Sequence, residues 1–384
     1  MENHSGKPKA DLEILTVAVY PRIGGMTGWI DQIARGLAGR GWKVRLFGIS
    51  DRWEADSSVP YERVHAVTSP PSGSLSAPLD KWRRWKLTGF FFQEWVKNHP
   101  APLLRLSDCT PGVLDLARRL TEIDGAPWVV LSGGDVFAET AQQWFSGWLH
   151  RGIRRNLNSS RRILVDGPDL LKALVDRGIR IDLLAVHYHG VELCERVETG
   201  RYFPERTDET ALRLVWHGRA AYHHGPLRFV EIARRVEGAE ARLCGDGPES
   251  EAMAQRLAEI GKSQWRLGYL SEDEKRSLLT EADCGVYPLR DMAGMPKVLL
   301  ESMAAGLCTL TYPTGAANEL IVHGENGFIC QDEDEMVSTL HRLKDEAGTR
   351  KRVGRAARET VAENWSLTAK LDELERLLRE LMDR

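Results

Sequence analysis

The sequence lacks several features that would mark other protein classes. Its six cysteines, Cys109, Cys194, Cys244, Cys284, Cys308 and Cys330, are scattered and form no CxxC pair. That excludes a cysteine-built zinc site and fits a reducing compartment. Charge of one sign is also missing: the formal net charge is -3, so nothing global points to nucleic acid. No hydrophobic run is long enough to cross a bilayer. The apolar stretch from Leu12 to Tyr20 is short and interrupted by Glu13, and Met1 to Asp11 is polar. A cytoplasmic protein is expected, with room for peripheral membrane contact. Asp332-Glu333-Asp334 offers an Asp-x-Asp pattern, but an acidic first turn of a C-terminal helix explains it better than a metal site.

What is present is a substantial core and a recurring α/β pattern. Hydrophobic residues make up 42% and charged residues 28% of the 384 positions, which suits two soluble globular domains. Leu12–Tyr20 reads as a strand and Pro21 to Gly25 as a turn. Trp29, Ile30, Ile33 and Leu37 recur at helical spacing, Gly39 and Gly41 close that helix, and 42–47 reads as the next strand. Such a βαβ unit implies a parallel sheet. Residues 51–77 are polar and Pro/Ser-rich and are expected to form a loop. Strands are expected at 127–131, 161–165 and 182–186.

Between Glu192 and Thr210 the chain turns polar, and the α/β pattern restarts after it. Domains are therefore expected at 1–200 and 201–365, followed by a helix at 366–384 with Leu371, Leu374, Leu377, Leu378 and Leu381 on one side. Within the second domain, strands are expected at 212–216, 241–244, 284–287 and 307–312, and helices at 227–233 and 297–305. Ser271 to Glu274 has the form of a capping box.

Ligands of open α/β sheets bind beyond the carboxyl ends of the strands. Four loops stand there: Gly218-Arg219 through His223-His224-Gly225; Gly245-Asp246-Gly247-Pro248; Gly268-Tyr269-Leu270; and Gly294-Met295-Pro296-Lys297 leading to Glu301. Glycines let a ligand approach the backbone, Arg219 and Lys297 supply cations, and a helix opening near Pro296 has free N–H groups. Together these would hold a diphosphate, and Glu301 would accept hydrogen bonds from ribose. Taken singly, each has a plainer reading: Gly24-Gly25 as a tight turn, Arg219 as a surface ion-pair partner, Glu301 as a solvent-facing residue, His223 and His224 as exposed loop residues.

The order and spacing of these segments resemble glycosyltransferase family four, of the GT-B fold. The resemblance rests on Gly218, Arg219, Gly225 and Ala233; on Gly245–Pro248; on Leu267–Ser271, Glu274, Asp283, Tyr287 and Pro288; on Pro296, Lys297, Leu300, Glu301, Met303, Ala304 and Gly306; on Gly315, Glu319, Asn326, Gly327 and Phe328; and on Pro21, Gly24, Gly25, Trp29, Leu37, Gly41 and Val44. It implies an α/β protein of two facing Rossmann-like domains, with the C-terminal helix packing back on the N-terminal one. It also implies a retaining, metal-independent hexosyltransferase that uses no cofactor besides a nucleotide-sugar donor such as a UDP- or GDP-sugar. The acceptor would be a glycan, a lipid-linked sugar or a small molecule. Arg219 would contact the diphosphate, Glu301 the ribose, backbone near Tyr269-Leu270 the base, and Gly24-Gly25 the phosphates or acceptor.

This chain departs from the family's pattern at three places. His224 stands where a lysine is common, so a permanent cation becomes a titratable group. Ala293 stands where the first glutamate of a Glu-x(7)-Glu pair is common. Ser132 replaces a frequent histidine, leaving Asp135, in a Gly134-Asp135…Glu139 variant of that loop, as the N-terminal candidate. These changes keep open a catalytically silent nucleotide-sugar-binding protein. The basic, aromatic stretch 81–95 has two readings: a surface for an anionic membrane, or a helix burying its aromatic side.

Overall fold

The computed structural model describes residues 10–16, 25–50, 59–67, 92–140, 146–193, 200–203, 211–291 and 294–383. The chain divides into two compact units, residues 1–188 with 371–384, and residues 189–370.

The first unit is built on β1 (Leu12–Thr16), α1 (Gly25–Gly39), β2 (Val44–Ser50), β3 (Glu62–Val67), β4 (Leu104–Asp108), α2 (Pro111–Asp124), β5 (Trp128–Ser132), α3 (Val136–Thr140), α4 (Ser146–Ser159), β6 (Arg162–Val165), α5 (Pro168–Asp176) and β7 (Leu184–Val186). Its seven strands run parallel in the order β3-β2-β1-β4-β5-β6-β7. The expected strands appear, with three departures, of which the first is β4, a strand the sequence reading did not include. Residues 62–67, inside the expected loop, pair with β2 alone, and an edge strand tolerates the polar flanks that suggested a loop. The strand expected at 182–186 is shorter, because Ile181–Leu183 forms a 3-10 turn that delivers the chain into β7. Residues 17–20, the last part of the strand expected at 12–20, lie outside the described residues.

Central parallel strands are covered on both faces, so a charge placed on one is buried. Glu13 of β1 stands in register with Arg45 of β2 and Arg105 of β4. Arg105 Nε donates to Glu13 Oε1 at 2.6 Å, and its Nη2 lies 2.7 Å from Asp124 Oδ2. Burial pushes the Glu13 carboxyl up, and Arg105 opposes that push. The last helix, α13 (Leu367–Met382), buries Leu371, Leu374, Leu378 and Leu381 but not Leu377. It docks on α1 and the turn after it. A Cβ on Gly36 would stand 2.3 Å from Leu371 Cδ1, Arg40 pairs with Asp372 at 2.7 Å, and Trp42 Nε1 donates to Glu375 at 2.9 Å.

The second unit holds β8 (Arg213–His217), α6 (Pro226–Arg235), β9 (Glu240–Cys244), α7 (Ser250–Glu259), β10 (Arg266–Gly268), α8 (Glu272–Glu281), β11 (Cys284–Tyr287), α9 (Lys297–Ala304), β12 (Cys308–Thr311), α10 (Ala317–Leu320), β13 (Phe328–Ile329), α11 (Glu333–Asp345) and α12 (Ala347–Asn364). Its six parallel strands follow the order β10-β9-β8-β11-β12-β13. The order reverses between β8 and β11, which opens a crevice at their carboxyl ends. Ser271 and Glu274 form the expected capping box. Asp332 caps α11 by accepting from Glu335 N at 2.9 Å, so the acidic run opens a helix as expected.

Replacing Arg105 with Met strands Glu13 in a dry sheet. The expected cost is about 3–5 kcal/mol. Urea unfolding checks this, and pairing the change with Glu13→Gln is expected to recover a large part of the loss.

Candidate functional site

The four loops singled out in the sequence all follow strands of the second unit, and backbone hydrogen bonds zip them together. Gly218 N donates to Cys244 O at 3.0 Å, Ala220 N to Asp246 O at 3.0 Å, and Gly245 N to Gly268 O at 2.7 Å. On the other side of the crevice, Arg290 N donates to His223 O at 3.0 Å, and Arg228 Nε to Pro288 O at 3.1 Å. The approach is close enough to require glycine. A Cβ on Gly245, whose φ is +130°, would stand 1.9 Å from Gly218 O. A Cβ on Gly218 would stand 3.2 Å from Val298 Cγ1 and 3.7 Å from His224 Nδ1. The loop carrying Arg219 therefore rests on the first turn of α9, beside Lys297.

Arg219 is exposed, and its guanidinium pairs with no carboxylate among the described residues. Met295 and Pro296 are buried where α9 begins; Leu299 N donates to Pro296 O at 2.9 Å, and among the described residues the N–H groups of Lys297 and Val298 have no intrahelical partner. Tyr269 is 49% exposed, and Leu270 packs against a core formed by Tyr202, Phe203, Leu278 and neighbours.

Glu301, one turn into α9, does not face open solvent. Its side chain is 12% exposed. Oε2 lies 2.8 Å from His217 Nε2, and Oε1 lies 3.1 Å from Lys275 Nζ and 3.6 Å from Lys297 Nζ. Burial works to raise its pKa, but Lys275, the His217 hydrogen bond and Lys297 outweigh burial and hold the carboxyl well below the usual carboxylate range. His217 in turn meets Tyr287 Oη at 2.6 Å through Nδ1, and Tyr287 Oη lies 3.1 Å from Ser302 Oγ. Burial lowers the His217 pKa, so the ring is neutral near pH 7. Sequence reasoning missed His217 and Lys275. The first looks like the end of an apolar strand and the second like one more charge on a polar helix. The available signal was position: His217 closes the strand at the topological switch.

His224, in the loop that carries Arg219, is the titratable group that stands in a lysine's place. Burial first, then the neighbouring His223 and Arg219, push its pKa down to about 4. At neutral pH it is an uncharged imidazole, and its Nδ1 is buried without a hydrogen-bond partner. It does not replace a lysine's charge. Asp135 is also occupied: Oδ1 accepts from Phe137 N at 3.0 Å, capping α3, and Oδ2 pairs with Arg177 at 3.0 Å. This carboxylate shapes the loop after β5, which disfavours the catalytic role expected of it. Gly24, Ala293 and residues 81–91 lie outside the described residues, and Gly25 opens α1. Within 92–95, Phe92 is buried against Phe47, and Trp95 packs between Phe47 and His99. Among the described residues no helix is long and apolar enough to cross a membrane.

Residues 211–346 match the family model described as glycosyl transferases group 1. The match spans the whole zipped loop cluster and Glu301. Among curated proteins, the chain is 30% identical over 140 residues to the N-acetyl-alpha-D-glucosaminyl L-malate synthase of Bacillus anthracis, covering 36% of each chain. It is 28% identical over 153 residues to the GDP-mannose-dependent alpha-(1-6)-phosphatidylinositol monomannoside mannosyltransferase of Mycobacterium tuberculosis, covering 36% of this chain and 40% of that one. These matches span well under half the length of either relative. Solved structures extend the likeness in fold. Anabaena HepE in complex with UDP and glucose has a TM-score of 0.74 at 16% identity, over 97% of this chain and 100% of that one. Sucrose-phosphate synthase from Thermosynechococcus elongatus has a TM-score of 0.79 at 15% identity, over 97% and 99%. The fold is GT-B, with two Rossmann-like parallel-sheet domains.

Two outcomes follow for this site. Gly245→Ala is expected to destabilise the second unit by more than about 1–3 kcal/mol, whereas Gly268→Ala, with φ +70° but open space around it, is expected to cost only about 1 kcal/mol. Urea unfolding of the two variants compares them. His224 binds its proton more weakly folded than unfolded, so between about pH 6.5 and about pH 4 the unfolded chain takes up the extra proton. Stability therefore falls as pH drops through that window. His224→Gln is expected to flatten the fall, measured as urea midpoints at pH 7 and pH 5.

Proposed function

We propose that the protein is a glycosyltransferase of family four, transferring a hexose with retention from a nucleotide-sugar donor, without a metal, to a glycan, lipid-linked or small-molecule acceptor. The observation that carries this reading is an exposed Arg219, unpaired with any carboxylate among the described residues, and a nearly buried, ionised Glu301 in α9, both at the switch point of the second unit. A donor needs both kinds of group. Its diphosphate carries negative charge and gains more when the sugar leaves. Arg219, Lys297 and the first N–H groups of α9 would stabilise that charge. The ribose presents hydroxyl donors, which Glu301 would accept. The base would lie along the backbone of Gly268-Tyr269-Leu270, close to the loop at Gly245. The relatives named above support the donor class: one is GDP-mannose-dependent, and HepE was solved with UDP.

We assign the acceptor side to the first unit. We place Asp135 there as an organiser of the loop after β5. We further propose that the protein works in the cytoplasm, with membrane contact, where it occurs, through residues 81–95.

Calorimetric titration with UDP-, GDP- and ADP-sugars tests the reading. One class is expected to bind, and NMR of the transfer product, formed with a chelator present, is expected to show the donor's anomeric configuration retained. Arg219→Ala and Glu301→Ala are each expected to weaken donor binding about 10- to 100-fold while the fold survives. Unchanged affinity in both variants would refute the site.

A further inference from the structure

The cluster around Glu301 contains more than a diol acceptor needs, and its hydrogen bonds run in one direction. The carboxylate can only accept, so His217 Nε2 carries a proton and donates to Glu301 Oε2 at 2.8 Å. Because the ring is neutral, Nδ1 is then an acceptor and takes the Tyr287 hydroxyl proton at 2.6 Å. Tyr287 Oη, having donated, accepts from Ser302 Oγ at 3.1 Å. Ser302 follows Glu301 in α9, so the relay leaves that helix, crosses the ends of β11 and β8, and returns to it. It fixes the tautomer of His217 and the orientation of the carboxylate.

Lys275 reaches the same group from a different element. It sits in the first turn of α8, is 15% exposed, and bridges Glu272 Oε2 at 2.8 Å and Glu301 Oε1 at 3.1 Å. Glu301 thus receives one hydrogen bond on each oxygen, while Lys297 at 3.6 Å adds charge without a bond. A carboxylate has about four acceptor positions, so about two stay open, one on each oxygen. Two adjacent hydroxyls need that arrangement. The other titratable groups nearby are Glu272, which faces Lys275, and Cys244 of β9, whose thiol burial pushes up to about 11 and so keeps uncharged.

We propose that Lys275, with the Ser302–Tyr287–His217 relay, is a positioning device that keeps Glu301 ionised and aimed so that its two open acceptor sites take a ribonucleotide's vicinal diol. The diol half of this statement rests on the donor reading above; the positioning half does not. A buried ion pair is weak evidence for stability in itself, since desolvation offsets most of its attraction. Its value here is a carboxylate that stays charged and does not rotate when the diol arrives.

Carbon-13 NMR of the full chain labelled at glutamate carboxyl groups tests the positioning without any ligand, with the Glu301 signal assigned by Glu301→Gln. In the unmodified protein that signal is expected to stay constant from pH 8 to pH 4.5. In Lys275→Met the burial that Lys275 had opposed is expected to raise the midpoint by roughly 3–5 pH units, into the range scanned. Lys275→Arg is expected to restore the flat profile, which a merely space-filling role would not do. Should Lys275→Met fail to fold, Lys275→Gln carries the same comparison. A Glu301 signal unmoved by removing the Lys275 charge would overturn the positioning role. UDP, GDP and ADP are then titrated across the same pH range. Nucleotide affinity in the Lys275→Met protein is expected to fall about tenfold as Glu301 takes up its proton. Failure of all three nucleotides to bind the unmodified protein would overturn the donor reading and the diol role with it. That result is distinct from a failed carboxyl titration.

Discussion

The second unit depends on how closely two strand ends can approach. Gly245 and Gly218 meet with a carbonyl where a side chain would otherwise stand, and the loops after β8, β9 and β10 are joined by backbone hydrogen bonds as a result. That contact leaves no room for a side chain, so the crevice floor is made of peptide groups. Its N–H groups at Gly218, Ala220 and Gly245 are spent on neighbouring loops, so they lock the floor together. The same contact fixes where Arg219 leaves the floor, since Gly218 also rests on Val298 of α9.

The charges around this floor divide into two kinds. Arg219 is exposed and pairs with no carboxylate among the described residues, which costs little in water. Glu301 is nearly buried and paired, which is costly unless every neighbour cooperates. His224 shows what happens where cooperation is missing. Partly buried beside Arg219 and His223, it loses its proton instead of adding charge. A histidine in a lysine's place therefore changes the balance of the loop more than its residue type suggests. The positive charge facing the crevice comes from Arg219, Lys297 and the start of α9.

Much of the fold was legible in the sequence because parallel strands covered on both faces read as short apolar runs, such as Leu212–Trp216 and Cys284–Tyr287, each followed by a glycine or proline turn. Residues 62–67 were not legible as a strand, since an edge strand needs only one neighbour and its polar flanks resemble a loop. Leu104–Asp108 was hidden because Arg105 breaks its apolar run, although the arginine is explained by Glu13, 92 positions away in sequence and adjacent in register. The candidate site was legible in its glycines, Arg219 and Glu301, whose loops follow from strand order. Its electrostatics were not. Lys275 and His217 lie 26 and 84 positions from Glu301, and only the folded sheet shows that they meet it.

Two of the buried ion clusters among the described residues separate a structural role from a functional one. Glu13 and Arg105 sit in mid-sheet with side chains 1% and 0% exposed, so no ligand reaches them whatever their unused lone pairs. Glu301 sits at the strand ends with 12% of its side chain open and a hydrogen bond on each oxygen. The chemistry of the two carboxylates is the same, and both are held by a neighbouring cation. The difference is that β1 passes through the middle of its sheet, whereas α9 begins where β11 ends. A charge paired in mid-sheet can only help or harm stability. A charge paired at the switch point of a parallel sheet is held ready for something that enters from outside, and the cost of keeping it charged there is understandable only if something does.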